Sequence, residues 1–294
     1  MKIEYPLNFI KSKSNEETKE ILESFLELKK YVLITGKTSS KNISNKLIDK
    51  KKFKPHDVHE IDSANHDEID LIADSILKEN INFVVSVGGG VVVDFAKRLA
   101  LLTKTQLLSI PTVVSNDGMA SPISVLNLNS KKVSLPGKLP DVIVVPINII
   151  EEAPKKYLRA AILDTLSNLS AINDWKFADD DISLNHSNSM AINLANIAAT
   201  MVLNIKNLEL HDKRILECAL DVQLLSGMAM TICGSSRPCS GSEHIISHAL
   251  DYMGIEQDIL HGEKVGTISE FTIFVQGDIV KEASKLLRKL EIEK

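Results

Sequence analysis

Three of the chain's eight histidines lie between Ser240 and Val265, in the run SGSEHIISHALDYMGIEQDILHGEKV. His244 and His248 stand four apart, so on a helix they share one face, one turn apart. Ser240 with Glu243 three residues on is a capping-box pattern, and Gly254 is a stop. The spacing therefore predicts a helix from about Glu243 to Met253. His261 follows the loop, just ahead of a second helix starting at Gly262 or Glu263, so two elements bring imidazoles toward one point. Imidazole is a common ligand for borderline divalent metals, and a carboxylate as third ligand would leave a position open for substrate. Asp164, in Leu163-Asp-Thr-Leu-Ser-Asn168, is the carboxylate candidate: it stands among apolar helix residues, where an unpaired carboxylate is costly. The pattern alone also fits a solvated histidine pair, with Asp164 as a solvated residue or a cap.

A second chemistry-bearing run is Val84-Val-Ser-Val-Gly88-Gly89-Gly90-Val-Val-Val-Asp94-Phe-Ala-Lys97, a strand, a glycine turn and a helix start. Glycines admit a ligand close to the backbone, and the following helix offers unpaired N–H groups and a positive dipole end to a pyrophosphate. Asp94 falls in the first turns, where its charge suits the dipole. The run is neither G-x-G-x-x-G nor a P-loop, and a purely structural turn has the same pattern. Two more loops fall at the carboxyl ends of predicted strands, where ligands of open α/β sheets bind. One is Gly36-Lys-Thr-Ser-Ser40. The other runs from Pro111 to Pro122; it is dense in hydroxyls, among them Thr112, Ser115 and Ser121, and has Asp117 and Gly118 in its middle.

The elements that must position these residues change character along the chain. In the first half, apolar runs at 31–35, 57–61, 82–87, 106–110 and 141–145 read as strands, and they alternate with helical spacing at 15–29, 42–49, 67–78 and 91–102. That alternation predicts βαβ units and a parallel sheet. Residues 123–126 and 132–135 flank a turn and read as a hairpin. From about Asn148 onward, apolar residues recur every three or four positions through 153–178, 189–203, 212–230, 243–253 and from 264 on, which predicts an all-helical half. The expected architecture is an α/β domain with a parallel sheet at 1–150 and an all-helical domain at 151–294.

Bulk composition excludes other classes. The chain has 294 residues and a net charge of −5, and it shows no basic stripe, so nucleic acid is not an expected partner. The lysines at 46–54 read as a solvated surface. No uninterrupted apolar run reaches transmembrane length and the first residues hold no apolar signal core, so neither membrane insertion nor export is expected. Three cysteines without a C-x-x-C pair fit a reducing cytoplasm. A homo-oligomer is left open.

Several stretches together resemble the sn-glycerol-1-phosphate dehydrogenases, a branch of the iron-containing alcohol dehydrogenase, glycerol dehydrogenase and dehydroquinate synthase superfamily. They are Gly88-Gly-Gly-x-x-x-Asp94-x-Ala-Lys97, Pro111-Thr-x-x-Ser115-x-Asp117-Gly-x-Ala-Ser121-Pro, Asp164-x-x-Ser-Asn168 with Asp174-Trp175, Ser236-Arg-Pro-x-Ser-Gly-Ser-Glu-His244-x-x-x-His248, and His261-Gly-Glu-x-Val-Gly266. The resemblance runs from about Tyr31 to Gly266. It implies a Rossmann-like nucleotide-binding domain at 1–150, a helical metal- and substrate-binding domain at 151–294, and a divalent ion, usually zinc, held by Asp164, His244 and His261, with His248 and Asp117 facing substrate; two histidines and a carboxylate also suit iron(II) or nickel(II). It also implies NAD or NADP on Gly88 to Asp94 and Thr112 to Ser115, with reversible reduction of dihydroxyacetone phosphate to sn-glycerol 1-phosphate. Arg237, Asn168 and Lys264 are candidates for the substrate phosphate by position. This chain departs from the family pattern at Leu163, where glycine is usual, and after Val265. It also ends at Lys294, several helices before family members do, so the helical domain is expected to be shortened. Two alternatives follow: a glycerol or polyol dehydrogenase on the same fold, and a weakened or non-catalytic nucleotide- or metal-binding relative.

Overall fold

Residues Tyr31–Gly36 form a strand whose side chains divide between two cores. Val32 and Ile34 pack with Ile69, Ile76, Phe95 and Leu99, while Tyr31 and Leu33 pack with Leu22, Leu26 and Leu47. This is the period of two expected of a strand covered on both faces. The computed structural model describes residues 8–27, 29–129, 131–178, 186–205, 209–255, 258–277 and 281–291. In chain order the elements are β1 (Asn8–Ser12), α1 (Asn15–Leu26), β2 (Tyr31–Gly36), α2 (Ser39–Leu47), β3 (Asp57–Ile61), α3 (His66–Lys78), β4 (Phe83–Gly88), α4 (Gly90–Thr103), β5 (Gln106–Pro111), β6 (Ile123–Leu128), β7 (Lys131–Pro136), β8 (Val142–Pro146) and α5 (Ile147–Glu152). The helices α6 (Lys155–Ala178), α7 (His186–Leu203), α8 (Lys213–Cys233), α9 (Ser242–Tyr252), α10 (His261–Val275) and α11 (Lys281–Glu291) follow.

The chain separates into two compact units. One holds residues 8–113 and Gly118–Ala153; the other holds Val114–Asp117 and the chain from Pro154 on. In the first, six parallel strands lie in the order β1-β8-β5-β4-β2-β3, and β6 and β7 form a separate antiparallel hairpin. The expected strands and hairpin are all present. Strand β1 is an addition: its five residues pair in register with β8, but they are too few to show a period. The second unit is all-helical, as expected. Its central element is α6, buried at every position from Ala160 to Asn168, as befits a helix surrounded by others. Among the described residues, α8 alone is long and apolar enough to cross a membrane, yet 61% of its apolar window is buried inside the structure, so its composition suits a core helix. The outward face of α9 is apolar: Ile245, Tyr252 and Met253 are all more than half exposed, and His248 lies on the same face.

Candidate functional site

The helical unit brings α6 and α10 together through two glycines one turn apart. A methyl group on Gly262 would come within 2.0 Å of the Ala160 carbonyl oxygen, and one on Gly266 within 2.5 Å of the Leu163 side chain. Leu163, where glycine was expected, is thus matched by a glycine on the facing helix, and the close crossing survives. Arg159 on α6 pins the crossing by donating from Nε to Glu263 at 2.8 Å. The outcome is that His261, the first residue of α10, places Nε2 3.8 Å from the Asp164 carboxylate.

The start of α9 differs from the expected capping box. Gly241, not Ser240, is the N-cap, and no side chain of the cap serves the helix. Asp174 of α6 instead accepts the Ser242 N–H at 2.5 Å, and Glu243 reaches back to the Gly241 N–H at 2.7 Å. The same Glu243 oxygen lies 2.8 Å from Nδ1 of His244. With Nδ1 held, Nε2 of His244 is the nitrogen left to accept a ligand bond. The His244 and His261 ring centres are 4.9 Å apart, and that of His248 lies 6.1 Å from His261 and 6.5 Å from His244. Asp164, His244 and His261 each bring one ligating atom into a group spanning no more than 4.8 Å.

The centre is electrostatically poised for a cation. Asp164 is 5% exposed, and burial pushes its pKa well above the usual carboxylate range; the charge of Asp117 pushes the same way, as does Glu243, against the pull of His244 and of the Asp117 N–H. That N–H donates to Asp164 at 3.2 Å. Burial is the largest single influence on His244 and lowers its pKa, but Glu243, Asp164 and Asp117 together carry it above the ordinary value. Two imidazoles and a buried carboxylate, with two further acids beside them, suit a borderline divalent cation in both charge and donor type.

In the α/β unit, β4 runs into the glycine turn. A methyl group on Gly88 would meet Val92 at 2.5 Å, so this glycine lets the helix pack on its own strand, whereas Gly90 has nothing within 4 Å and presents open backbone. No acid occupies the first turn of α4, which leaves its N–H groups and dipole to an anion. Asp94 corrects the expectation: its carboxylate turns to Lys97 at 3.1 Å and to the Val125 backbone, and so ties down α4 and the hairpin. Lys97, fully buried, also donates to the Gly118 carbonyl at 2.6 Å and to that of Ile123. Thr112, whose N–H bonds the Gly88 carbonyl at 3.0 Å, follows the neighbouring strand β5. Thr112 and Ser121 are buried and Ser115 half-buried, so Ser115 is the most accessible of the three hydroxyls.

Strands β2 and β4 are neighbours, but β2 connects through α2 to β3 on one side and β4 through α4 to β5 on the other. This reversal is the topological switch point, where open α/β sheets bind ligands beyond their carboxyl ends. The β2–α2 turn at Lys37 and Thr38 and the β4–α4 turn at Gly89 flank it.

Of the three phosphate candidates, two are committed elsewhere. Asn168 is buried and donates to Ser226 at 2.9 Å, and Lys264 is buried against Asp251; Arg237 is exposed. The roles of Glu243, Lys97, Arg159 and Asp174 were missed in the sequence. Glu243 carried a local signal, its place beside His244, and so did Lys97, three residues after Asp94.

The iron-containing alcohol dehydrogenase family model matches residues 10–154. Over 289 residues the chain is 36% identical to the glycerol-1-phosphate dehydrogenase (NAD(P)+) of Methanococcus maripaludis strain S2, a match covering 95% of this chain and 80% of that protein. It is 31% identical over 278 residues to the enzyme of the same name from Methanosphaera stadtmanae, covering 94% and 79%. Among solved structures, sulfoacetaldehyde reductase from Bifidobacterium kashiwanohense in complex with NAD+ aligns with a TM-score of 0.72 at 21% identity, over 98% of this chain and 80% of that one. An iron-containing alcohol dehydrogenase from Thermotoga maritima aligns at 0.71 and 18%, over 99% and 87%; likeness at these identities concerns the fold. By its relatives, the chain belongs to the glycerol-1-phosphate dehydrogenase family of the iron-containing alcohol dehydrogenases.

Proposed function

We infer that this chain reduces dihydroxyacetone phosphate to sn-glycerol 1-phosphate with NADH or NADPH and a divalent cation. The carrying observation is the convergence of Asp164, His244 and His261 in a chain whose relatives bear that enzyme name. Those three residues would hold the cation, zinc or else iron(II) or nickel(II). When bound, it polarises the ketone oxygen and stabilises the charge that grows there. The nicotinamide, when bound, would supply a hydride to the ketone carbon, and a proton delivered to the oxygen would complete the change from C=O to CH–OH. His248, which stands one turn beyond His244 and outside the ligating trio, supplies the proton. Asp117 orients the substrate's free hydroxyl. The glycine turn and the first turn of α4 receive the pyrophosphate, with Thr112 and Ser115 beside it. Three cysteines without disulfides suit a cytoplasmic setting.

The test combines metal analysis with dihydroxyacetone-phosphate-dependent NAD(P)H oxidation on one preparation. About one ion per chain and turnover are expected, both lost in His261→Ala. Full turnover in that variant overturns the reading.

A further inference from the structure

The chain after β5 carries Asp117, assigned above to substrate, so the reacting nicotinamide end belongs on the β5 side of the switch point. The adenosine end then lies over β2, on the opposite side of β4. In dinucleotide folds an acid at such a strand end hydrogen-bonds the ribose 2′-hydroxyl, and a nearby cation admits a 2′-phosphate. Here β2 ends at Gly36, opposite Ile61 of β3, and no acid follows it before α2. The next residue is Lys37, whose ammonium is joined to Asp62, the residue just past the end of β3. Both side chains are more than half exposed, so the pair holds an accessible cation at the strand end and does not serve the core.

We propose that Lys37 is the residue through which this chain accepts the phosphorylated dinucleotide, with Asp62 as the acid that tempers that preference. Lys37 supplies a point charge to a 2′-phosphate; Asp62 fixes the ammonium at the strand end in its absence and repels the phosphate. Dual use of NADH and NADPH follows from one ion pair that can open toward either ribose. The assignment rests on the dehydrogenase reading above.

The test is fluorescence titration of the metal-loaded full chain with NADPH and with NADH, which reads binding without turnover. In Lys37→Ala the NADPH Kd should rise about tenfold, near 1.4 kcal/mol, while NADH stays within about twofold. Asp62→Asn should move NADPH the other way, tightening it several-fold, and Gly36→Asp should weaken NADPH without touching Lys37. The difference between the two nucleotides should shrink as salt is raised, since exposed charges are screened. Equal loss for both nucleotides in Lys37→Ala, or no loss for either, overturns the assignment while leaving the dehydrogenase reading intact. Failure of the unaltered chain to bind either nucleotide sinks both.

Discussion

Glu243 holds Nδ1 of His244 at 2.8 Å while its other oxygen, equally buried, has no partner among the described residues. A fully buried carboxylate is retained here because it fixes the tautomer and aim of an adjacent ligand, the usual task of an acid behind a metal-bound histidine. Glu243→Gln keeps the size and an oxygen for the Gly241 N–H but loses the charge. Metal affinity, read by chelator competition, should fall about 10–100-fold, with thermal stability of the metal-free protein little changed. Unaltered metal affinity would show that Glu243 serves only the helix start.

The α6–α10 crossing makes a second prediction. Gly262→Ala puts a methyl group 2.0 Å from the Ala160 carbonyl oxygen, which neither helix backbone can relieve without moving apart. The cost should be at least about 1–3 kcal/mol in urea denaturation. Because His261 begins the same helix, metal binding should weaken in step. Gly90→Ala, where nothing lies within 4 Å, is the matched control and should leave the denaturation midpoint in place.

What the sequence revealed and what it hid divide along distance in the chain. The strands at 31–36 and 83–88 were legible because runs of β-branched residues end in glycine, and the histidine pair because a spacing of four survives any packing. Asp164 stood out as a charge among apolar neighbours. The start of α9 was misread because its capping acid, Asp174, lies 68 residues away and on another helix. Arg159 and Glu263 are 104 residues apart, and neither predicts the other. Asp94 was read by its place on a helix, but Lys97, one turn on, outweighed the dipole.

Lys97 is the subject of a third prediction. Its ammonium is enclosed by the Asp94 carboxylate and the Gly118 and Ile123 carbonyls, with no exposed surface. Lys97→Met fills the space but strands the Asp94 charge and two carbonyls. Breaking one side of a buried pair costs about 3–5 kcal/mol. The double variant Lys97→Met with Asp94→Leu should recover part of this, because both charges are then gone. Since Gly118 follows Asp117 directly, the single variant should also lower kcat for dihydroxyacetone phosphate more than it raises the NADPH Kd.

Tyr31 gives a pH prediction independent of the site. Its hydroxyl donates to the Phe53 carbonyl at 2.6 Å, and burial pushes its pKa up to about 12. In the unfolded chain a tyrosine ionises near pH 10. Between these values the folded state keeps a proton that the unfolded state has lost, so the contribution is complete below about pH 10 and drains away as pH rises toward 12. The urea midpoint should therefore fall more steeply over that interval in the native chain than in Tyr31→Phe, which has no phenol to ionise. Absorbance at the phenolate band should show one of the four tyrosines ionising late in the folded protein and with the others once urea is added. Parallel urea curves for the two proteins across that range would show that Tyr31 ionises alike in both states.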